Sequence, residues 1–155
     1  MSECKIKLDD AMPLIREKLA SGGEVTFSPR GTSMLPLLRE GRDTVTLSPA
    51  PKKLKKYDIP FYQRENGQYV LHRVVKTGES YTCIGDNQFV SEKGVKQEQI
   101  IAICTAFTRD GRRYSVNSAR WKLYARLWHY SRFPRRMLAA LKRRAARSFG
   151  KDKNG

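Results

Sequence analysis

Residues 67–75 read GQYVLHRVV, an apolar, strand-forming run that opens on a glycine and carries one histidine, His72, in its middle. Runs of the same kind lie on both sides of it. EVTFS at 24–28, DTVTLS at 43–48, DIPFYQ at 58–63, SYTCIG at 80–85 and QIIAICTAF at 99–107 repeat a period of two between Gly, Pro, Asn and Lys-rich turns. Alternation of this kind specifies half-buried strands, so the central part of the chain is expected to be mainly β and antiparallel. ENG at 65–67 separates two runs and reads as a hairpin turn. Pro60, inside DIPFYQ, predicts that its strand is an edge or is irregular there.

Helical patterning flanks this β region. Asp9 or Asp10 suits the cap of a short helix reaching about Leu19, with Pro13 in its first turn, an apolar stripe at Leu8, Met12, Ile15 and Leu19, and Gly22-Gly23 as its stop. DGRRYSV, from residue 110, reads as a last hairpin before the pattern turns helical at Asn117. Trp121, Tyr124, Leu127 and Trp128 then share one face, with Lys122, Arg126 and His129 on another. After Pro134, Met137, Leu138, Leu141, Ala145 and Phe149 oppose Arg136, Arg143, Arg144 and Arg147. The expected organisation is an N-terminal helix (1–23), a β domain (24–116) and a basic amphipathic helical tail (117–155), whose last five residues read as a frayed end.

Composition locates the partners. The chain of 155 residues carries a net charge of +16, unevenly: residues 1–110 hold 17 Lys and Arg against 14 Asp and Glu, and residues 111–155 hold 14 against one. The basicity belongs to the tail, so the tail is expected to touch something anionic: phospholipid, nucleic acid or an acidic protein. Cys4, Cys83 and Cys104 are odd in number and match no close-set metal spacing, which predicts inert thiols in a reducing compartment, no metal and no cofactor. Residues 1–19 contain neither the h-region of a signal peptide nor an apolar run long enough to span a bilayer, so a cytoplasmic or peripherally membrane-associated protein is expected.

Residues 31–36, GTSMLP, place Ser33 just after a glycine turn and before an apolar run. Serine in a Gly/Pro turn is ordinary, and its hydroxyl is a poor nucleophile until a base takes its proton. The chain has two histidines. His129 lies in the tail and reads as a polar face residue. His72 is the candidate base, and Asp86 in the GDN turn and Glu92 beyond it are carboxylates able to orient its imidazole and stabilise the protonated form.

Taken together, GTSMLPLLREGRD, DIPFYQ, YVLHRVV and YTCIGDNQ resemble, in order and spacing, the boxes of the type I signal peptidases. The Ser-Met-x-Pro element is shared with LexA-type repressor peptidase domains. The resemblance covers about half of the chain, residues 27–103. It implies a signal-peptidase-like antiparallel β domain. It also implies a serine endopeptidase in which Ser33 attacks the scissile carbonyl and His72 moves the proton, with a preference for small residues before the cut. Histidine rather than lysine at position 72 is similar to the endoplasmic-reticulum and archaeal branch. By the same resemblance the catalytic acid falls on Glu92 and a supporting acid on Asp86, the two ranking nearly equally as the partner of His72. The oxyanion serine of many members is replaced by Gly31, leaving the Ser33 amide, with Thr32 as a compensating hydroxyl.

Met34-Leu35-Pro36-Leu37-Leu38 reads first as an apolar segment closing on the core. By resemblance its exposed members form an apolar rim with shallow substrate pockets, so Gly31, Thr32, Met34 and Pro36 are the oxyanion and substrate candidates. Family members are held at membranes by spanning helices. Here the tail is expected to substitute, with Trp121, Trp128, Phe133 and Phe149 on apolar faces and Arg136, Arg143 and Arg144 among the cations that contact a membrane surface or a partner protein. Nucleic acid is the less favoured tail ligand. The rival readings are a LexA-like autoproteolytic regulator and a catalytically silent module that binds nucleic acid or lipid through the tail.

Overall fold

The computed structural model describes residues 8–151, with side chains through residue 145; Cys4, the 152–155 end and the Arg147 and Phe149 side chains lie outside it. Helix α1, Leu8–Ala20, places Met12, Ile15 and Leu19 on one face, and all three are buried. Each such side chain contributes about 1.5–3 kcal/mol of burial, enough to dock a 13-residue helix that would be marginal alone. The helix begins earlier than its predicted cap, so Pro13 lies inside it rather than in its first turn.

Strands β1 (Val25–Phe27), β2 (Asp43–Pro49), β3 (Pro60–Gln63), β4 (Tyr69–Leu71), β8 (Ile100–Arg109) and β9 (Arg112–Ser115) form one antiparallel sheet. Its spine is β8, whose ten residues pair with β2 along one edge and with β3 and then β9 along the other. Strands β5 (Arg73–Lys76), β6 (Tyr81–Ile84) and β7 (Glu92–Val95) make a second antiparallel sheet. One buried cluster joins α1 to the first sheet through Val45, Leu47, Phe61 and Phe107. The other lies under the second sheet, around Tyr62, Val74, Cys83 and Val95. The fold is thus mainly antiparallel β with a short N-terminal helix and two C-terminal helices, α2 (Ala119–Tyr130) and α3 (Arg132–Lys151).

Three local outcomes bear on the site. The hairpin at 65–67 forms: the Arg64 amide donates to Gln68 O (2.9 Å), and Gly67 sits at φ 84°, where only glycine is unstrained. Strand β3 is not an edge, because β8 and β4 flank it. Pro60 is tolerated as the first residue of the strand, and the predicted irregularity appears as a register shift between Phe61 and Tyr62. Finally, residues 69–76 are not one strand: β4 belongs to the first sheet and β5 to the second, and His72 is the single residue between them.

Candidate catalytic site

Ser33 lies in the loop between β1 and β2, held from two directions. From below, Met34, Leu37 and Leu38 are buried in the core, while Leu35 is half-buried and Pro36 exposed. The segment thus closes on the core, as its structural reading expected. From the side, the GDN turn clamps it: the Asn87 amide donates to Ser33 O (2.8 Å) and Asn87 Nδ2 to Thr32 O (3.2 Å). Gly85 is required here, since a Cβ on it would stand 2.5 Å from Ser33 O. The far end of the loop is fixed by fully buried Asp43, which accepts from the Arg39 amide (3.0 Å) and pairs with Arg39 (2.9 Å) and Arg109 (3.2 Å).

A cleft of about 380 Å3 is lined by both Ser33 and His72, with Gly31, Thr32 and Met34 among the remaining residues. Pro36 is not among them. Pro36 is exposed on the turn after Ser33, and its carbonyl accepts from Arg109 (3.0 Å). Neither the hydroxyl nor the amide of Ser33 is hydrogen-bonded to any described residue. The Ser33–His72 hydrogen bond is not formed in this structure, and His72 Nε2 likewise has no partner among the described residues. Catalytic hydrogen bonds are commonly open before substrate enters.

The other imidazole nitrogen is engaged. His72 Nδ1 lies 3.4 Å from the hydroxyl of Tyr62, which is fully buried and donates to Glu92 Oε2 at 2.8 Å. Arg64 holds both Glu92 oxygens, with Nε at 3.0 Å from each and Nη2 at 2.8 Å from Oε2. Burial raises the Glu92 carboxyl, but the bonds from Arg64 and Tyr62 outweigh it and leave it below its usual value. Burial, then the bond to Glu92, pushes the Tyr62 phenol up, so it stays protonated. An ionised carboxylate only accepts, and a phenol has one proton. Tyr62 therefore spends its proton on Glu92 and accepts from Nδ1–H of His72, which makes Nε2 the basic nitrogen. Tyr62 escapes sequence reasoning because an aromatic in an alternating run reads as core.

Burial, then the Arg64 charge, lowers the His72 pKa to about 4, so the imidazole is an unprotonated base at neutral pH. The unfolded chain protonates near 6.5. The native state takes up this proton less readily, so the stabilising contribution is complete above pH 6.5 and lost as pH falls from there towards 4. Urea unfolding of the protein is expected to show an excess slope of up to about 1.4 kcal/mol per pH unit across that window relative to His72→Asn. Parallel profiles would contradict it.

The two carboxylates separate. Glu92 reaches His72 through Tyr62. Asp86, fully buried, is held fork-on-fork by Arg73 (both contacts 2.8 Å) and accepts from the Tyr124 hydroxyl (3.3 Å). Arg73, which follows His72 in the chain and opens β5, takes Asp86 into its own buried ion pair. The near-equal ranking of the two acids is thereby corrected: Asp86 supports the turn that clamps Ser33 and does not contact His72.

The tail also departs from expectation. Trp121 packs edge-on against Phe107 (4.9 Å between centroids), and Tyr124 stacks on Trp128 (5.8 Å). Trp128 Nε1 donates to the Asp86 carbonyl (2.7 Å), and Arg135 lies 3.6 Å over its ring. Trp121 and Trp128 are thus docking residues of α2 on the body and not free anchors, because these aromatics find an apolar or polar partner there. Among the described residues of the tail the exposed apolar side chains are Leu123, Leu127, Tyr130, Met137, Leu138 and Leu141, together with Phe133, which is exposed as expected. Arg136, Arg143 and Arg144 are all exposed, and the first two line a second cleft together with His72.

Cys83 and Cys104 are free and buried, and burial pushes each thiol up to about 12. Among the described residues no cluster of three His, Cys, Asp or Glu side chains is placed to hold a metal ion. Comparison with protein-family models, with curated proteins and with solved structures finds no match to this chain.

Proposed function

We propose that this chain is a serine endopeptidase that cleaves signal, leader or precursor peptides through Ser33 and His72, with Glu92 acting on the imidazole through Tyr62. The observation that carries the reading is the shared cleft: an unengaged hydroxyl and an imidazole whose other nitrogen is already fixed line the same cavity. In the proposed cycle Nε2 takes the Ser33 proton as Oγ attacks the carbonyl, and the imidazolium returns that proton to the leaving amine. Water then hydrolyses the acyl-enzyme by the same route. The unengaged Ser33 amide is the first oxyanion donor, with Thr32 beside it in the cleft wall; one such donor is worth about two to three orders of magnitude in rate.

The test is digestion of a peptide library by the protein and by Ser33→Ala. New cleavages made by the parent and absent in the variant support the reading. Identical patterns, or none from either, overturn it and favour a silent module.

The tail adds a membrane-surface partner to the proposal. No helix among the described residues is long and apolar enough to cross a membrane. On α3, however, Phe133, Met137, Leu138 and Leu141 are each more than half exposed among arginines and lysines, the pattern of a helix lying in an anionic interface. Flotation with anionic vesicles is expected to recover the protein and to lose it for Phe133→Ser/Met137→Ser/Leu141→Ser. Equal recovery of both would contradict the anchor.

A further inference from the structure

A second cleft, of about 650 Å3, adjoins the first: Arg64, His72 and Gln88 line both, and Ser33 lines only the smaller. Its other wall is helix α3. Arg136 and Arg143 are seven residues apart, two helical turns, and so share a face. Between them Ala139 and Ala140 are half-buried.

The charges of this cleft do not cancel. Glu92 neutralises Arg64. Arg143 Nε donates only to the Ala139 carbonyl (3.2 Å), and Arg136 has no hydrogen bond or ion pair with any described residue. Glu92 also lines this cleft but is paired with Arg64, and no described carboxylate forms an ion pair with Arg136 or Arg143, which leaves two unit positive charges beside a cavity that reaches the imidazole. Guanidinium groups recognise carboxylates with paired, directional hydrogen bonds.

The position relative to the imidazole gives the cleft a direction. A base that takes the nucleophile's proton and returns it to the leaving amine has the leaving half of the substrate next to it. The cavity lined by His72 but not by Ser33 therefore suits the chain that follows the scissile bond. We propose that this cleft is the subsite for the leaving half of the substrate, and that Arg136 and Arg143 select peptides carrying Asp or Glu within the first few residues after the cut. The assignment to the leaving half rests on the peptidase reading above; the preference for a carboxylate-bearing peptide does not.

Two measurements separate these layers. In the first, labelled decapeptides differing only in Asp/Glu against Asn/Gln in their C-terminal half are titrated into Ser33→Ala, with and without Arg136→Glu/Arg143→Glu. The acidic peptide is expected to bind about tenfold more tightly, with that preference abolished or inverted by charge reversal. In the second, cleavage sites from the library digestion are aligned. Acidic residues are expected to be enriched after the cut, and the charge-reversed protein is expected to shift that enrichment towards Lys and Arg.

Cleavage with no acidic enrichment, together with equal binding of the two peptides, overturns the inference and leaves the peptidase reading standing. Charge-dependent binding without cleavage by the parent has the opposite meaning: the carboxylate subsite stands and the peptidase reading falls. Equal peptide binding with displacement of α3 contacts by anionic vesicles assigns the two arginines to lipid and also overturns the inference.

Discussion

Asp86→Ala is expected to lower the unfolding free energy by about 3–5 kcal/mol, the size found when one partner of a buried ion pair is removed. The substitution strands the Arg73 guanidinium, itself buried, with only the Tyr57 carbonyl (3.2 Å) and the face of Tyr124 for company. It also removes the acceptor of the Tyr124 hydroxyl at the joint between the body and α2. For a chain of this length the loss corresponds to a Tm lower by about 10 °C. Replacing both charges, Arg73→Met with Asp86→Leu, is expected to cost less than Asp86→Ala alone, because no uncompensated charge remains. Urea titrations of the three variants decide it; a loss below 1 kcal/mol for Asp86→Ala would mean that the pair is not the clamp described.

The second large effect falls on rate. His72→Ala is expected to reduce kcat on a cleaved peptide by about four to six orders of magnitude, as loss of the base does in serine hydrolases. Tyr62→Phe keeps the aromatic volume and removes the oxygen that both accepts from Nδ1–H and donates to Glu92. The proton on the imidazole is then no longer fixed to one nitrogen, and kcat is expected to fall by about two to four orders of magnitude with KM nearly unchanged. A Tyr62→Phe protein as fast as the parent would reduce Tyr62 to a core residue and detach Glu92 from the mechanism. A fall confined to KM would assign the same hydroxyl to substrate binding.

The parts of this architecture legible in the sequence are those governed by local periodicity and turn chemistry. Met12, Ile15 and Leu19 repeat at helical spacing and are buried together; the 65–67 turn joins two alternating runs; and Ser33 and His72, 39 positions apart, line one cleft. What was not legible depends on where a regular element meets another. Alternation continues through GQYVLHRVV, but it carries no mark of the switch between sheets at His72, a backbone event that leaves the hydrophobic pattern intact.

Other misreadings have the same origin. Glu92 opens the four-residue strand EKGV, too short and too polar to register as β from its own residues, although β6 supplies the pairing. The α2 pattern identified an apolar face and not its partner: Trp121 and Trp128 pack inward, while Leu127 on the same predicted face is exposed. Asp43 opens the alternating run DTVTLS, and only the tertiary structure brings Arg39 and Arg109 onto it to pin the Ser33 loop. Asp86 and Glu92 could not be ranked from spacing because tertiary partners decide between them: Arg73 takes Asp86, and Tyr62 joins Glu92 to His72.

The central claim is that one hydroxyl is activated by one imidazole, and serine-directed labelling measures that coupling without requiring the natural substrate. The protein, Ser33→Ala and His72→Ala are incubated with a peptidyl phosphonate bearing a small residue next to the reactive group, and the adduct is located by peptide mass mapping. The account predicts a single adduct on Ser33 at pH 7, persisting to about pH 5 because the imidazole remains unprotonated there, and lost when His72 is replaced. Labelling of Ser33 at the same rate in His72→Ala, or spread over other serines of the parent, would contradict it.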